Sequence, residues 1–338
     1  MDIEHYLADS RDLVLDEMRR IVPADSRWTG GLYGLVMDYP LRGAKALRPS
    51  LCIATSRMLG APLDAAVPTA AALELYHNAF LVHDDVEDGS TDRRGRPSLP
   101  AEHGVPISVN VGDAMLALAM RPLVNNARTL GGRRAFAILE VLSEMAQRSA
   151  EGQALELGWV RRNEWALGRR DYVHMVWLKT AWYSFIAPIR CGLLVADGEA
   201  VTTPMVRLAS MLGIAFQVQD DVLNLQESGR YGKEFAGDLW EGKRTLLILH
   251  ALRVAGAQER GEAIRILAKP RAEKLQAEVD WLVEFVRRHG GVDAAQASAM
   301  AHARRAQKIL DELGPRLPKS VHRDFVAALI GYVTERSW

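Results

Sequence analysis

Apolar residues along the chain recur at steps of three and four, the spacing of one face of an α-helix, while sustained alternation with period two is nearly absent. Ala70 to Val82 reads as one buried helix on which Leu73, His77, Phe80 and Asp84 share a face. The same pattern predicts helices over Asp113–Met120, Arg134–Ser149, Val206–Asn224, Leu246–Val254 and Val321–Glu335. Gly131-Gly132, Gly290-Gly291 and the stretch from Pro40 to Pro49 punctuate them. No repeat of domain scale and no low-complexity linker is visible. The expectation is an all-α bundle, a single domain over residues 1–338 with about ten to thirteen helices at ordinary helix lengths.

Composition narrows the class. Forty-two Lys+Arg balance forty-two Asp+Glu, so no global field steers the chain toward nucleic acid or an anionic membrane. Cys52 and Cys191 stand outside any CxxC or Cys/His pattern, which excludes a disulfide framework and speaks against a zinc site. The segment MDIEHYLADSRD is acidic and carries no apolar signal core. Apolar stretches such as Leu246–Leu249 fall far short of the roughly 20 residues that span a bilayer. A soluble, cytoplasmic protein without stable membrane insertion is therefore expected.

Two acidic clusters end apolar helices: His83-Asp84-Asp85-Val86-Glu87-Asp88, and Phe216-Gln217-Val218-Gln219-Asp220-Asp221-Val222-Leu223-Asn224. Asp84 and Asp88, like Asp220 and Asn224, are four residues apart, which puts both side chains on one helical face about 6 Å apart along the axis. Most charge runs are solvated faces, but these sit at the rim of an apolar core, where like charges repel unless a cation lies between them. A small set of carboxylate oxygens, with only His83 nearby, suits Mg²⁺, which keeps waters and shares its remaining positions with phosphate. Two such helices facing each other across a bundle would hold several Mg²⁺ ions in a shared central cavity. Fixed cations for the phosphate are at hand in Lys45, Arg48, Arg93, Arg94, Lys179 and the run Lys243-Arg244-Thr245. Neither GxxxxGK[ST] nor GxGxxG occurs after a strand, so a nucleotide is disfavoured and a diphosphate with a hydrocarbon tail is favoured.

These residues resemble the trans-isoprenyl diphosphate synthases, or polyprenyl synthetases. GAKALRP is similar to that family's GGKxxRP, and LELYHNAFLVHDDVEDGSTDRRGRP to its first aspartate-rich motif. HGVPISVNVGDAML, Glu151-Gly152-Gln153, Lys179-Thr180, FQVQDDVLN and GDLWEGKRTLL follow in the family's order, so the match runs from about Tyr39 to about Leu249. The resemblance implies an all-α, usually dimeric enzyme of the geranylgeranyl diphosphate synthase kind, joining isopentenyl diphosphate to an allylic diphosphate with Mg²⁺ as cofactor. It implies Asp84, Asp85, Asp88, Asp220 and Asp221 at the metal, with Asp238 orienting cations, and Arg93, Lys179 and Lys243 on the allylic diphosphate. Lys45, Arg48, His77 and Arg94 would hold isopentenyl diphosphate, with Thr180 and Gln217 lining the reacting carbons. His77 reads equally well as a satisfied core histidine. Ala44, Ala46 and Asn224 depart from the family pattern, the last giving a DDxxN form of the second motif.

The growing hydrocarbon is expected to run along the helix of the first cluster, away from the metals. Ala79, five residues before Asp84, is small. Phe80 and Tyr76, four and eight before it, are aromatic. Tyr76 as floor implies a C20 product, geranylgeranyl diphosphate; Phe80 as floor implies C15, farnesyl diphosphate. Two other readings use the same bundle. A terpene cyclase has no use for a second diphosphate site, and its NxxxSxxxE pattern is half met by Asn224 and Ser228 but broken at Gly232. A noncatalytic partner subunit typically loses carboxylates that both clusters here retain. Arg336 is a further candidate for the isopentenyl diphosphate phosphates.

Overall fold

The computed structural model describes residues 1–226 and 235–335; Ser228, Gly232 and Arg336 lie outside them. The described chain is helical apart from a two-residue antiparallel hairpin, Asp92–Arg93 with Arg96–Pro97. In chain order the helices are α1 (Ile3–Ile21), α2 (Leu32–Leu41), α3 (Leu47–Met58), α4 (Leu63–Asp88), α5 (Leu99–His103) and α6 (Val105–Thr129). There follow α7 (Gly132–Arg161), α8 (Arg169–Val176), a π-helical stretch Trp177–Ile186, α9 (Ala187–Val195) and α10 (Thr202–Leu223). The chain closes with α11 (Gly237–Glu241), α12 (Leu246–Val254), α13 (Ala257–Leu267), α14 (Gln276–Arg288), α15 (Gly291–Leu313) and α16 (Val321–Glu335). The bounds of α12 and α16 coincide with the apolar pattern, because each pattern begins just after a polar residue, Thr245 and Ser320. Thr245 caps α12 through its hydroxyl, which accepts the Ile248 N–H.

The chain forms two compact units. The first comprises Met1–Met145, Tyr183–Ala209 and Ile309–Leu329; the second comprises Ala146–Trp182, Ser210–Lys308 and the segment from Ile330 on. In the first unit α3 is buried on every side except at Arg57, which is why its sequence, LRPSLCIATSRM, lacks a polar stripe. Two glycines set the close crossings. A Cβ on Gly112 of α6 would meet His83 Nε2 of α4 at 2.3 Å, and one on Gly192 of α9 would meet the Cys52 carbonyl of α3 at 2.6 Å. Cys52 and Cys191 are fully buried beside this crossing, and burial pushes both thiols up, Cys191 to about 12. The second unit is centred on Val218 and Val222 of α10, Leu247 and Ile248 of α12, and Leu282 and Phe285 of α14.

Val105–Thr129 and the stretch Glu199–Leu223 do reach the length and mean hydropathy (1.3) of a membrane span, contrary to the expectation from apolar runs. In each the most apolar window is about half buried in the fold, 44% and 50%, as core-helix composition requires.

The Gly192 crossing makes a direct prediction. Gly192→Ala should lower the urea midpoint at an unchanged slope, by about 1–3 kcal/mol, because neither backbone carbonyl nor the Thr55 Cβ at 2.7 Å can yield cheaply.

Candidate active site

The first acidic cluster occupies the last turn of α4, closed by Gly89 in the left-handed region (φ 61°). The end of a helix carries negative dipole charge, so carboxylates here are unfavourable without cations. The two adjacent aspartates divide the burden. Asp85 is fully buried: Tyr39 Oη donates to its Oδ2 at 2.6 Å, and Arg93 Nε donates to both oxygens at 3.0 and 3.1 Å, with Nη2 adding a further ion pair. Asp84 keeps 25% of its side chain exposed, 3.8 Å from Arg93 Nη2. Burial alone would lower the Arg93 pKa, but the hydrogen bonds and charge of Asp85 hold it above the ordinary value. Burial, reinforced by Asp85, raises the Tyr39 phenol. Arg93 is presented by the small hairpin, whose central residues Arg94 and Gly95 have φ of 53° and 72°. Arg94 Nη1 donates to the Tyr39 carbonyl at 2.6 Å.

A second cationic group lies deeper in the same unit. Arg48 on α3 donates to His77 Nε2 at 3.1 Å and to Ser184 Oγ at 2.8 Å, and its guanidinium stacks 4.4 Å over the Tyr183 ring. Its Nε has no protein acceptor. His77 is buried, and burial followed by the charges of Arg48, Arg94 and Arg93 holds its pKa well below 6.5. The imidazole is therefore neutral, with Nε2 as acceptor for Arg48. Glu74 one turn earlier is 3% exposed. Burial raises its pKa, and Arg94 and Arg48 draw it back down. Lys45 lies half-buried in the loop before α3.

The second acidic cluster repeats the plan of the first. Asp221 on α10 is 5% exposed; Tyr172 Oη donates to its Oδ2 at 2.6 Å and Gln217 Nε2 to its Oδ1 at 2.7 Å. Burial, then the charge of Asp238, pushes its pKa well above the usual carboxylate range. Thr180 Oγ1 donates to Gln217 Oε1 at 2.8 Å, so a continuous chain of hydrogen bonds links Thr180 to Asp221. Asp220 remains partly exposed. Lys179 pairs with Glu156 Oε2 at 2.5 Å, and Lys243 with Glu241 at 2.5 Å and Asp238 at 3.9 Å. Gly152 is required here, since a Cβ would meet the Lys179 backbone nitrogen at 2.3 Å.

A family model described as polyprenyl synthetase matches residues 32–286. The chain belongs to that family. It is similar to the short chain isoprenyl diphosphate synthase of Methanothermobacter thermautotrophicus, 31% identical over 296 residues and 87% of each chain. It is similar to the geranylfarnesyl diphosphate synthase of Aeropyrum pernix, 30% identical over 342 residues and 99% of each. Among solved structures, the polyprenyl synthase of Caulobacter crescentus complexed with calcium and isoprenyl diphosphate superposes with a TM-score of 0.85 at 29% identity, covering 99% of this chain and 96% of that one.

In this polyprenyl synthetase the structure reassigns several residues expected at the site. Asp85 and Asp221 were expected at the metal. Both are buried with protein donors on each oxygen, which makes them anchors for the partly exposed Asp84 and Asp220. Asn224 is a cap, because its Oδ1 accepts the Asp238 N–H at 3.1 Å and fixes the start of α11. Arg244, counted among the fixed cations, is 2% exposed, stacks 3.9 Å over Trp165 and donates to the Glu164 carbonyl. Burial lowers its pKa to about 10. Among the described residues no three carboxylate, His or Cys side chains converge on one metal position. Asp84, Asp88 and Asp220 nevertheless fit Mg²⁺, which takes one or two carboxylates and completes its shell with water and substrate phosphate. Sequence reasoning missed Tyr39, Glu74, Glu156, Tyr172, Tyr183 and Ser184. Of these only Tyr183 and Ser184 carried a signal, standing three and four residues beyond Thr180.

The depressed His77 pKa has a pH consequence. The unfolded chain takes up a proton near pH 6.5 that the folded chain refuses, so stability falls as pH drops below about 6.5 toward the folded pKa. His77→Gln should remove up to about 1.4 kcal/mol per pH unit from the slope of unfolding free energy in that window. An unchanged slope would mean that His77 is protonated in the fold.

Proposed function

We propose that this polyprenyl synthetase is an Mg²⁺-dependent trans-prenyltransferase that adds isopentenyl diphosphate head to tail to an allylic diphosphate, giving geranylgeranyl diphosphate. The observation that carries this reading is the second cationic group. Arg48, Arg94 and Lys45, ordered by neutral His77 and buried Glu74, form a set apart from the Asp84–Arg93 rim. One diphosphate does not need both sets, and a terpene cyclase has no use for the deeper one.

Asp84, Asp88 and Asp220 would hold Mg²⁺, which supplies positive charge to the departing allylic diphosphate. Arg93, fixed by Asp85, meets that diphosphate beside Asp84, and Lys179 and Lys243 offset the charge that grows on it as the carbon–oxygen bond breaks. Thr180 and Gln217 present their dipoles to the allylic carbons, and the buried anchor of Asp221 keeps both oriented. Arg48, Arg94, Lys45 and His77 hold isopentenyl diphosphate. No side chain is required as base, because the released diphosphate accepts the proton lost after the new bond forms.

The relatives' names cover several chain lengths, so product size is argued from residues. Asp84, Phe80 and Tyr76 succeed one another on one face of α4 at intervals of about 6 Å. The Phe80 ring meets Tyr183 edge-on at 5.6 Å and Tyr76 at 6.0 Å. This pair turns the Phe80 ring sideways and supports Tyr76 as the floor. Ala79 is fully buried in the bundle and leaves that face clear. A homodimer working in the cytoplasm is supported by the apolar outer surface of α6 and α7, where Val124 and Phe136 are 61% and 70% exposed.

Incubation with isopentenyl diphosphate, Mg²⁺ and each of the C5, C10 and C15 allylic diphosphates should give a C20 diphosphate. A C15 end product would move the floor to Phe80. Hydrocarbon or alcohol from the allylic substrate alone would mean a cyclase, and no turnover a noncatalytic subunit. Asp84→Ala should cut turnover by about a thousandfold or more with circular dichroism unchanged, since its carboxylate serves substrate and metal rather than packing. Tyr76→Ala should lengthen the product beyond C20, whereas an unchanged product would remove Tyr76 from the floor.

A further inference from the structure

The second unit contains a pocket of about 680 Å³ between the start of α8, the polar edge of α12 and one side of α15, within the 300–1,000 Å³ of small-molecule sites. None of the residues assigned above to catalysis lines it. Its floor is apolar, formed by Leu246, Leu249 and Leu252 with Trp165 and Leu167. Along α15 the facing positions are Ala294, Ala297, Ser298 and Ala301, at steps of three and four, so small side chains keep the cleft open.

The rim is cationic. Arg169, Arg253 and Arg260 reach it from three segments, joined by His250, and no Asp or Glu lines the pocket. The arginines have neutral neighbours: Arg169 Nη2 donates to Ser298 Oγ at 3.3 Å and Arg253 Nη2 to His250 Nδ1 at 3.4 Å. Among the described residues none of the three forms an ion pair. The acid nearest in sequence, Asp171, is held by the Gly168 N–H at 2.8 Å. His250 and His302 are both held below the usual histidine range, by burial and then by neighbouring arginine charge. In a chain with zero net charge, an unpaired arginine triangle over an apolar floor is a local concentration of positive potential.

We propose that this pocket binds a prenyl diphosphate, its hydrocarbon lying on the leucine floor and its phosphates on the arginine rim. The shared chemistry is an anionic phosphate head on an apolar chain, and the enclosed floor favours a single free molecule over a membrane surface. With such a ligand class made at the proposed active site, occupancy here makes the enzyme a holder of its own product and couples product level to the α8–α12 segment, whose continuation carries Lys179 and Thr180. This regulatory role rests on the reading under Proposed function; the binding itself does not.

The test is calorimetric titration of the full chain with geranylgeranyl diphosphate, with Mg²⁺ and in excess EDTA. The EDTA arm isolates a metal-independent site. Binding of about one molecule per chain in EDTA is expected, with the Kd weakened about tenfold or more for each of Arg253→Glu and Arg260→Glu. It should be abolished in Ala297→Trp, which fills the cleft from an exposed position. All three variants should keep the wild-type initial rate. Neither inorganic diphosphate nor geranylgeraniol alone should match the intact molecule. Unchanged EDTA binding in the three variants would overturn the proposal, as would equal affinity for inorganic diphosphate. Co-sedimentation of the wild type, but not of the arginine variants, with vesicles of anionic phospholipid while free geranylgeranyl diphosphate fails to bind would assign the rim to a membrane and overturn it too. Absence of prenyltransferase activity in the wild type, with EDTA binding retained, would sink the functional reading and leave the pocket standing.

Discussion

Two carboxylates cannot both stand at the end of a helix with nothing between them, and much of the architecture answers that constraint. In each acidic cluster the second aspartate is taken inward and bound by a tyrosine hydroxyl at 2.6 Å, Tyr39 for Asp85 and Tyr172 for Asp221. A buried carboxylate left unpaired is strongly destabilising, by several kcal/mol, so the donors are as necessary as the acid. Once the second aspartate is anchored, the rotation of about 100° per residue sends the first one outward. Arg93 links the two acids of the first cluster, and the hairpin that carries it is tied back to the Tyr39 carbonyl through Arg94. One tyrosine thus orders an acid, two arginines and the turn between them.

Net neutrality conceals how the charges are sorted. Cations and anions are equal in number, yet they are arranged as separate sets: acid rims at the ends of α4 and α10, an arginine group around His77, and an arginine rim over the leucine floor of α12. Electrostatics of this kind acts over a few ångströms in partly desolvated surroundings, where a single guanidinium decides whether a histidine is charged. Glu74 and His77 belong to this sorting. Neither needs to touch a reacting atom to matter, because both determine where the Arg48 fork points.

The sequence made the helices and the motif order legible because both are local. Helical periodicity marks α12 and α16 to the residue, and the spacing of Asp84 and Asp88 places both on one face. What stayed hidden depends on which side of a helix meets the core. Asp84 and Asp85 are indistinguishable as letters. Only the packing of α2, which brings Tyr39 from 46 residues away, decides which of them is buried. Arg244 misleads for the same reason: it follows Lys243 in a basic run, yet Trp165 and the Glu164 carbonyl draw it inward. Asn224 stands in a ligand's place in the motif and works as a cap, a role visible only once the Asp238 N–H is seen at its side chain.

The π-helical stretch Trp177–Ile186 gives the chain an angular accounting of its own. Lys179 and Thr180 sit on it, and Tyr183 and Ser184 follow within the same stretch. A wide turn holds one more residue than an α-helical turn, and each residue of an α-helix advances the direction of its side chain by about 100°. Phase is therefore stored in residue number. Removing one residue would let the stretch relax to ordinary α-helix with little loss of hydrogen bonding, while turning everything beyond the deletion out of phase with what precedes it. Substitutions change what this segment presents; a change in its length would change where all of it is aimed.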